Sequence, residues 1–112
     1  MILFKLFHVE PILSGRKIQT RRLWAKARVK VGSVHWAQTS FRSSSRFARV
    51  EVTGLRRERL GDILQADAER EGYSTVAEYF AVFKAIYRRF DVDEPVWVGA
   101  FRVIQDEGGQ HG

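Results

Sequence analysis

The sequence predicts an α+β domain in which five or six short strands curl into a partly closed barrel, with two or three helices on its flank. Three observations lead there. The two longer candidate helices fall late, after several strands, instead of alternating with them. The strands are short and numerous for a chain of 112 residues, and closure protects their edges. Apolar residues make up 45% and charged residues 29%, with two prolines, a balance that suits one modest globular core.

Each element has its own signal. Ile2 to His8 puts aromatic and branched residues on both faces and reads as a strand buried on both sides. Glu10-Pro11 starts a helix of barely one turn, since proline tolerates the first helical position and glutamate suits the positive end. Gly15 is its left-handed stop. Ile18 to Trp24 is extended. Gly32-Ser33 is a turn, and Val34 to Ala37 is a strand. The Ser/Arg stretch from Ser40 to Arg46 is an exposed loop. Phe47 to Thr53 alternates, with Ala48, Val50 and Val52 on one face and Phe47, Arg49, Glu51 and Thr53 on the other. That is a half-buried strand, paired with Val34 to Ala37 as a hairpin. Asp62-Ile63-Leu64-Gln65 is a capping-box-like helix start, with Gly72 as its stop. Thr75-Val76-Ala77-Glu78 is a full capping box. It opens a helix whose stripe of Val76, Tyr79, Phe80, Phe83, Ile86, Tyr87 and Phe90 belongs to the core. Val96 to Ile104 is the last strand. One domain over 1–105 is expected, followed by a fraying tail at 106–112.

The charge is segregated. The net is +6, from 19 Lys+Arg against 13 Asp+Glu. Residues 11–50 hold ten of the cations and no carboxylate. Such segregation points to a surface that meets a polyanion, although a basic segment folded onto the acidic remainder has the same composition. There is no cysteine, which excludes disulfides, thiolate catalysis and cysteine-ligated metals. His8, His35 and His111 are scattered, with no metal-ligand spacing. No apolar run approaches the ~20 residues that span a bilayer, and no signal peptide is evident. A soluble cytoplasmic protein without cofactor or metal is expected.

The densest chemistry lies in Ser14-Gly15-Arg16-Lys17-Ile18-Gln19-Thr20-Arg21-Arg22. Walker spacing is absent, so this is not a P-loop. Cations gathered after a helix stop suit phosphate or carboxylate recognition. Neighbouring cations, with burial added, lower the pKa of Lys17, and a neutral lysine can take a proton from Thr20. The same residues also fit solvated charges with Thr20 as an ordinary strand residue.

The run His8-Val9-Glu10-Pro11-Ile12-Leu13-Ser14-Gly15-Arg16-Lys17, followed by Gln19-Thr20-Arg21-Arg22, resembles the signature of ASCH domains, members of the PUA-like superfamily. The stretches Ala48 to Gly54, Gly61-Asp62-Ile63, Glu71-Gly72-Tyr73 and Pro95 to Val98 extend the resemblance from about Ile2 to Ile104. It implies a PUA-like barrel with a cleft beside the 15–22 loop, and an RNA- or nucleoside-directed role. One branch of that family hydrolyses the acetyl amide of N(4)-acetylcytidine. Matched residue by residue, the resemblance makes Lys17 the proton acceptor, Thr20 the nucleophile and Glu71 the proton donor. Glu69 is a rival for the third place, and Glu71 is alternatively a structural partner of Lys17 and Arg21. Arg21 or Arg22 would bind a phosphate or steady the oxyanion. Ile18 stands where relatives often carry threonine.

The basic field is larger than a free nucleoside needs. Arg16, Arg21, Arg22, Lys26, Arg28, Arg42, Arg46 and Arg49 form a candidate RNA-binding surface, with Trp24 and Phe41 as candidate stacking platforms. Trp36, inside a strand, is expected in the core. The sequence therefore ranks RNA binding first, with a protein partner compatible with that role. The N(4)-acetylcytidine amidohydrolase comes second and a ribonuclease third.

Overall fold

The computed structural model describes residues 1–105. The expected tail and His111 lie outside the described residues. Five strands form one sheet: β1 (Ile2–Leu3), β2 (Gln19–Arg22), β3 (Val34–Gln38), β4 (Arg46–Arg59) and β5 (Pro95–Val103). Three helices accompany it: α1 (Val9–Leu13), α2 (Gln65–Arg70) and α3 (Val76–Tyr87). The sheet order is β1-β3-β4-β5-β2. β1 runs parallel to β3, and every other pairing is antiparallel. The two edge strands, β1 and β2, come together because the sheet curls. Arg22 on β2 donates to the Leu3 carbonyl of β1 at 2.7 Å, and its guanidinium lies 5.0 Å from the Phe4 ring. A side chain thus spans the gap where a barrel would close, giving the partly closed barrel the sequence predicts.

Several local expectations hold. Gly15 ends α1 with φ +82°, Gly32 turns into β3 with φ +89°, and Gly72 ends α2 with φ +95°. β3 and β4 form the expected hairpin across the Ser-rich loop. Ala48, Val50 and Val52 are buried. Thr75 caps α3, its hydroxyl oxygen accepting from the Glu78 N–H at 3.0 Å.

Four expectations are corrected. The first strand is only two residues long. After Leu3 the chain enters a 3₁₀ turn, Leu6–His8, which carries His8 inward and leaves Leu6 and Phe7 exposed. β4 runs on to Arg59, because 54–59 pairs along β5 even though its own sequence is polar; a bulge between Val52 and Gly54 resets the register. Helix α2 begins at Gln65, not near Asp62, and the Asp67 carboxylate caps it by accepting from the Leu64 N–H at 3.2 Å. Trp36 is exposed, because β3 shows that side chain to solvent while Ala37 is fully buried.

Two apolar clusters hold the fold. Leu60, Ile63, Val96 and Val98 pack with Tyr79 and Phe83 of α3. Ile2, Phe4, Ile12, Ala37, Val50 and Phe101 form the second cluster. Phe4 of one and Tyr79 and Phe83 of the other share the walls of a single cavity.

Candidate functional site

That cavity is about 280 Å³. Lys17, Thr20, Arg21, Arg22 and Glu71 all line it. Local sequence puts them there. Gly15 turns the chain back so that the Lys17 N–H reaches the Pro11 carbonyl at 2.9 Å, and the Ile18 N–H reaches Arg70 O at the end of α2 at 2.8 Å. At Gly72 the backbone passes close to Lys17: a Cβ there would sit 3.4 Å from the Lys17 Cβ. Two left-handed glycines therefore lock the lysine loop against the end of α2, and Glu71 faces Lys17 across the junction.

Lys17 and Glu71 are both 2% exposed. Lys17 Nζ donates to the Glu71 backbone carbonyl at 2.8 Å and lies 3.5 Å from its Oε1. Burial is the largest influence on Lys17 and lowers its pKa; Glu71 opposes the shift, while Arg22 and Arg21 add to it. The direction is the one expected from sequence, but neighbouring cations are the smaller cause. Burial likewise pushes the Glu71 carboxyl up, against the pull of Lys17 and Arg21.

Thr20 is buried, and its hydroxyl oxygen accepts from Arg22 Nε at 2.8 Å. Its described hydrogen bond is with Arg22, not with Lys17. The Arg21 side chain is fully buried and faces three carboxylates: Glu58 at 2.6 Å, Glu71 at 3.6 Å and Asp67 at 3.8 Å. Burial opposes ionisation of Asp67, yet the Leu64 N–H and the guanidiniums of Arg21, Arg56 and Arg70 hold its carboxyl below the usual range. Arg21 is thus neutralised from inside the protein. Glu69 is exposed, accepts from Gln65 at 3.0 Å, and lies outside the cavity.

The remaining sequence-predicted residues lie elsewhere. Arg16 is exposed and paired with Glu10. Lys26, Arg28, Arg42, Arg46 and Arg49 are exposed, and Trp24 is half-buried. Arg46 and Arg49 sit 4.8 Å and 5.6 Å from the Trp36 ring, and Phe41 is 78% exposed at the hairpin tip. Among the described residues these five cations hold no carboxylate. Arg70, Arg89 and Arg102 each hold one, and Arg56 and Arg59 each hold two.

Sequence reasoning missed five contributors. His8 bonds the Tyr73 hydroxyl at 2.9 Å, and both line the cavity. Tyr79 is hidden in the helical stripe. Glu58 is hidden in the polar run after Thr53, and Asp67 carries its signal only in its spacing of three from Leu64. Among the described residues, no group of three or more His, Asp or Glu is placed to hold a metal ion, and no helix is long and apolar enough to cross a membrane.

Sequence comparison finds no matching family model and no similar curated protein. Solved structures do match. An ASCH domain from Lactobacillus crispatus JV V101 superposes with a TM-score of 0.73 at 16% identity, over 87% of this chain and 70% of that one. ASCH from Zymomonas mobilis gives 0.62 at 14% identity, over 90% of this chain and 64% of that one. This chain has the ASCH-domain fold. Protein EF3133 from Enterococcus faecalis V583 is a further match, with a TM-score of 0.66 at 19% identity over 93% of this chain and 71% of that one. The curled sheet with flanking helices is the PUA-like barrel that the ASCH resemblance implies.

Proposed function

We propose that this chain hydrolyses the acyl amide on the exocyclic amine of a cytosine base, with N(4)-acetylcytidine as the substrate the ASCH resemblance implies. The observation that carries this reading is the meeting of Lys17, Thr20 and Glu71 on the walls of one cavity. Sequence spacing says nothing of distance; the fold brings Glu71 to Lys17 across 54 residues.

The buried pair has a property the reaction needs. Ammonium–carboxylate and amine–carboxylic acid forms of Lys17 and Glu71 carry the same single proton. Burial of both groups favours the uncharged form, which supplies a base and an acid at once. Arg22 occupies a lone pair of the Thr20 oxygen and leaves the hydroxyl proton free to depart. In the proposed step, Thr20 Oγ1 bonds to the acyl carbon and its proton passes to Lys17. The C–N bond breaks, and the amine takes the Glu71 proton. Water then cleaves the threonine ester, releasing the acid and restoring the hydroxyl. Arg22, on the cavity wall and with no carboxylate paired to it among the described residues, favours the oxyanion of each step. The test is cytidine release from N(4)-acetylcytidine by the purified protein and by Thr20→Ala. Absence of release by a folded wild type overturns the reading.

RNA binding, which the sequence ranks first, is a second reading with its own observation. Trp36, Arg46 and Arg49 form an exposed aromatic–cationic cluster, and Phe41 and Arg42 lie on the same hairpin. Base stacking and phosphate pairing of that kind suit a single strand. The ribonuclease reading gains no observation.

A further inference from the structure

Three polar side chains around the cavity have buried atoms with no hydrogen-bond partner among the described residues: Tyr79 Oη, Glu71 Oε2, and Arg21 Nε and Nη1. Buried polar atoms are almost always paired, so three unpaired side chains around one cavity require a reason. Arg21 and Glu71 face each other at 3.6 Å and partly satisfy one another electrostatically. Tyr79 has no such companion. It is 4% exposed, lines the cavity, and is fixed by edge and tilted packing with Tyr73, Phe80 and Phe83 at 5.6 to 6.0 Å between ring centres. A phenylalanine would fill the same volume in this apolar cluster without leaving a hydroxyl unpaired. The hydroxyl of a residue on the cavity wall is thus left with a donor and lone pairs to offer.

We infer that Tyr79 is a specificity residue whose hydroxyl donates to a ring nitrogen or carbonyl oxygen of a planar heterocycle seated in the cavity. Three features define the ligand class. The walls are aromatic, from Phe4, Tyr73, Tyr79 and Phe83, and suit a flat ring. The phenol is held in its protonated form, by burial first and by Glu71 second, so it acts as a donor. Glu71 Oε2, on the same cavity, supplies an acceptor or donor according to its protonation. A cytosine ring offers acceptors at its O2 and N3 positions and a nitrogen substituent at the next carbon. Tyr79 would read the acceptor edge while Lys17, Thr20 and Glu71 meet the amide. The inference deepens the proposed function and rests on it for the base; Tyr79 takes no part in bond-making.

The test is Tyr79→Phe, compared with the wild type in three measurements. These are thermal unfolding without ligand, nucleoside binding by calorimetry with cytidine and N(4)-acetylcytidine, and turnover of N(4)-acetylcytidine. The expected result is an unfolding temperature equal to or above that of the wild type. Kd and KM should be raised about 10- to 100-fold, with kcat nearly unchanged. A lowered unfolding temperature with unchanged Kd would show that the hydroxyl is structural and would overturn the inference. Failure of the wild type to bind either nucleoside would overturn it as well. Binding that weakens in Tyr79→Phe, from a wild type that shows no turnover, would sink the hydrolase reading and leave the specificity role standing.

Discussion

Removing one member of a buried, proton-sharing pair leaves the polar atoms of the other short of a partner. Lys17→Met should therefore destabilise the fold by about 1–3 kcal/mol, because Glu71 remains 2% exposed and keeps only Arg21 beside it. Adding Glu71→Gln to Lys17→Met should restore part of that stability, since the double variant buries neither ionisable group of the pair. Urea denaturation of both single variants and the double variant checks this; strictly additive effects would refute the coupling. His8 gives a pH signature. Burial, helped by Lys17 and Arg22, holds its pKa down from 6.5 to about 3. The unfolded chain thus binds a proton between those values that the folded chain does not. Stability from this residue is complete above pH 6.5 and is lost as pH falls from about 6.5 toward 3. Unfolding temperatures at pH 7 and pH 5 should differ more for the wild type than for His8→Gln. At this scale the sequence is informative about residue type and silent about burial. Lys17, Thr20 and Glu71 can be named from a motif, while Tyr79 looks like any member of an apolar stripe and Trp36 like a core residue.

The elements owe their placement to turns more than to strand propensity. Gly15 and Gly72 both have positive φ, yet only Gly72 has Lys17 beside it. Gly15→Ala should cost about 1 kcal/mol from backbone conformation alone. Gly72→Ala should cost more, because its Cβ would press on the Lys17 Cβ at 3.4 Å. It should also lower activity, which Gly15→Ala should leave closer to the wild type; equal effects in both measurements would deny Gly72 a role in seating Lys17. Turn and cap signals read correctly from sequence because they are local: glycine for left-handed backbone, Thr75 for a helix start. The failures are non-local. The polar stretch 54–59 becomes strand only because β5 lies alongside to pair with it. Ile2 to His8 looks like a full strand, yet β3 offers it only Ala37 and Gln38 as partners.

Across the whole molecule, charge is divided between an inside that neutralises itself and a face that does not. Arg21 is surrounded by Glu58, Asp67 and Glu71, whereas Arg42, Arg46 and Arg49 hold no carboxylate among the described residues. The segregation visible in the sequence therefore divides in the fold: Lys17, Arg21 and Arg22 line the cavity, while Arg42, Arg46 and Arg49 lie exposed on the hairpin. If single-stranded RNA lies on that face, its affinity should fall steeply with salt. Arg46→Ala with Arg49→Ala should weaken binding and reduce the magnitude of the log–log salt slope by about 1.4, near 0.7 for each phosphate left unneutralised. Filter binding over a salt series measures this, and a slope unchanged by both substitutions would remove the hairpin from the interface. For the cavity, one measurement is the most direct. Wild-type protein and Thr20→Ala are incubated with N(4)-acetylcytidine, and cytidine is read by chromatography. Release by the wild type, abolished in a folded Thr20→Ala, is what the buried Lys17–Glu71 pair and the Thr20 hydroxyl on the same cavity predict. Equal release from both proteins, or none from a folded wild type, would contradict the account.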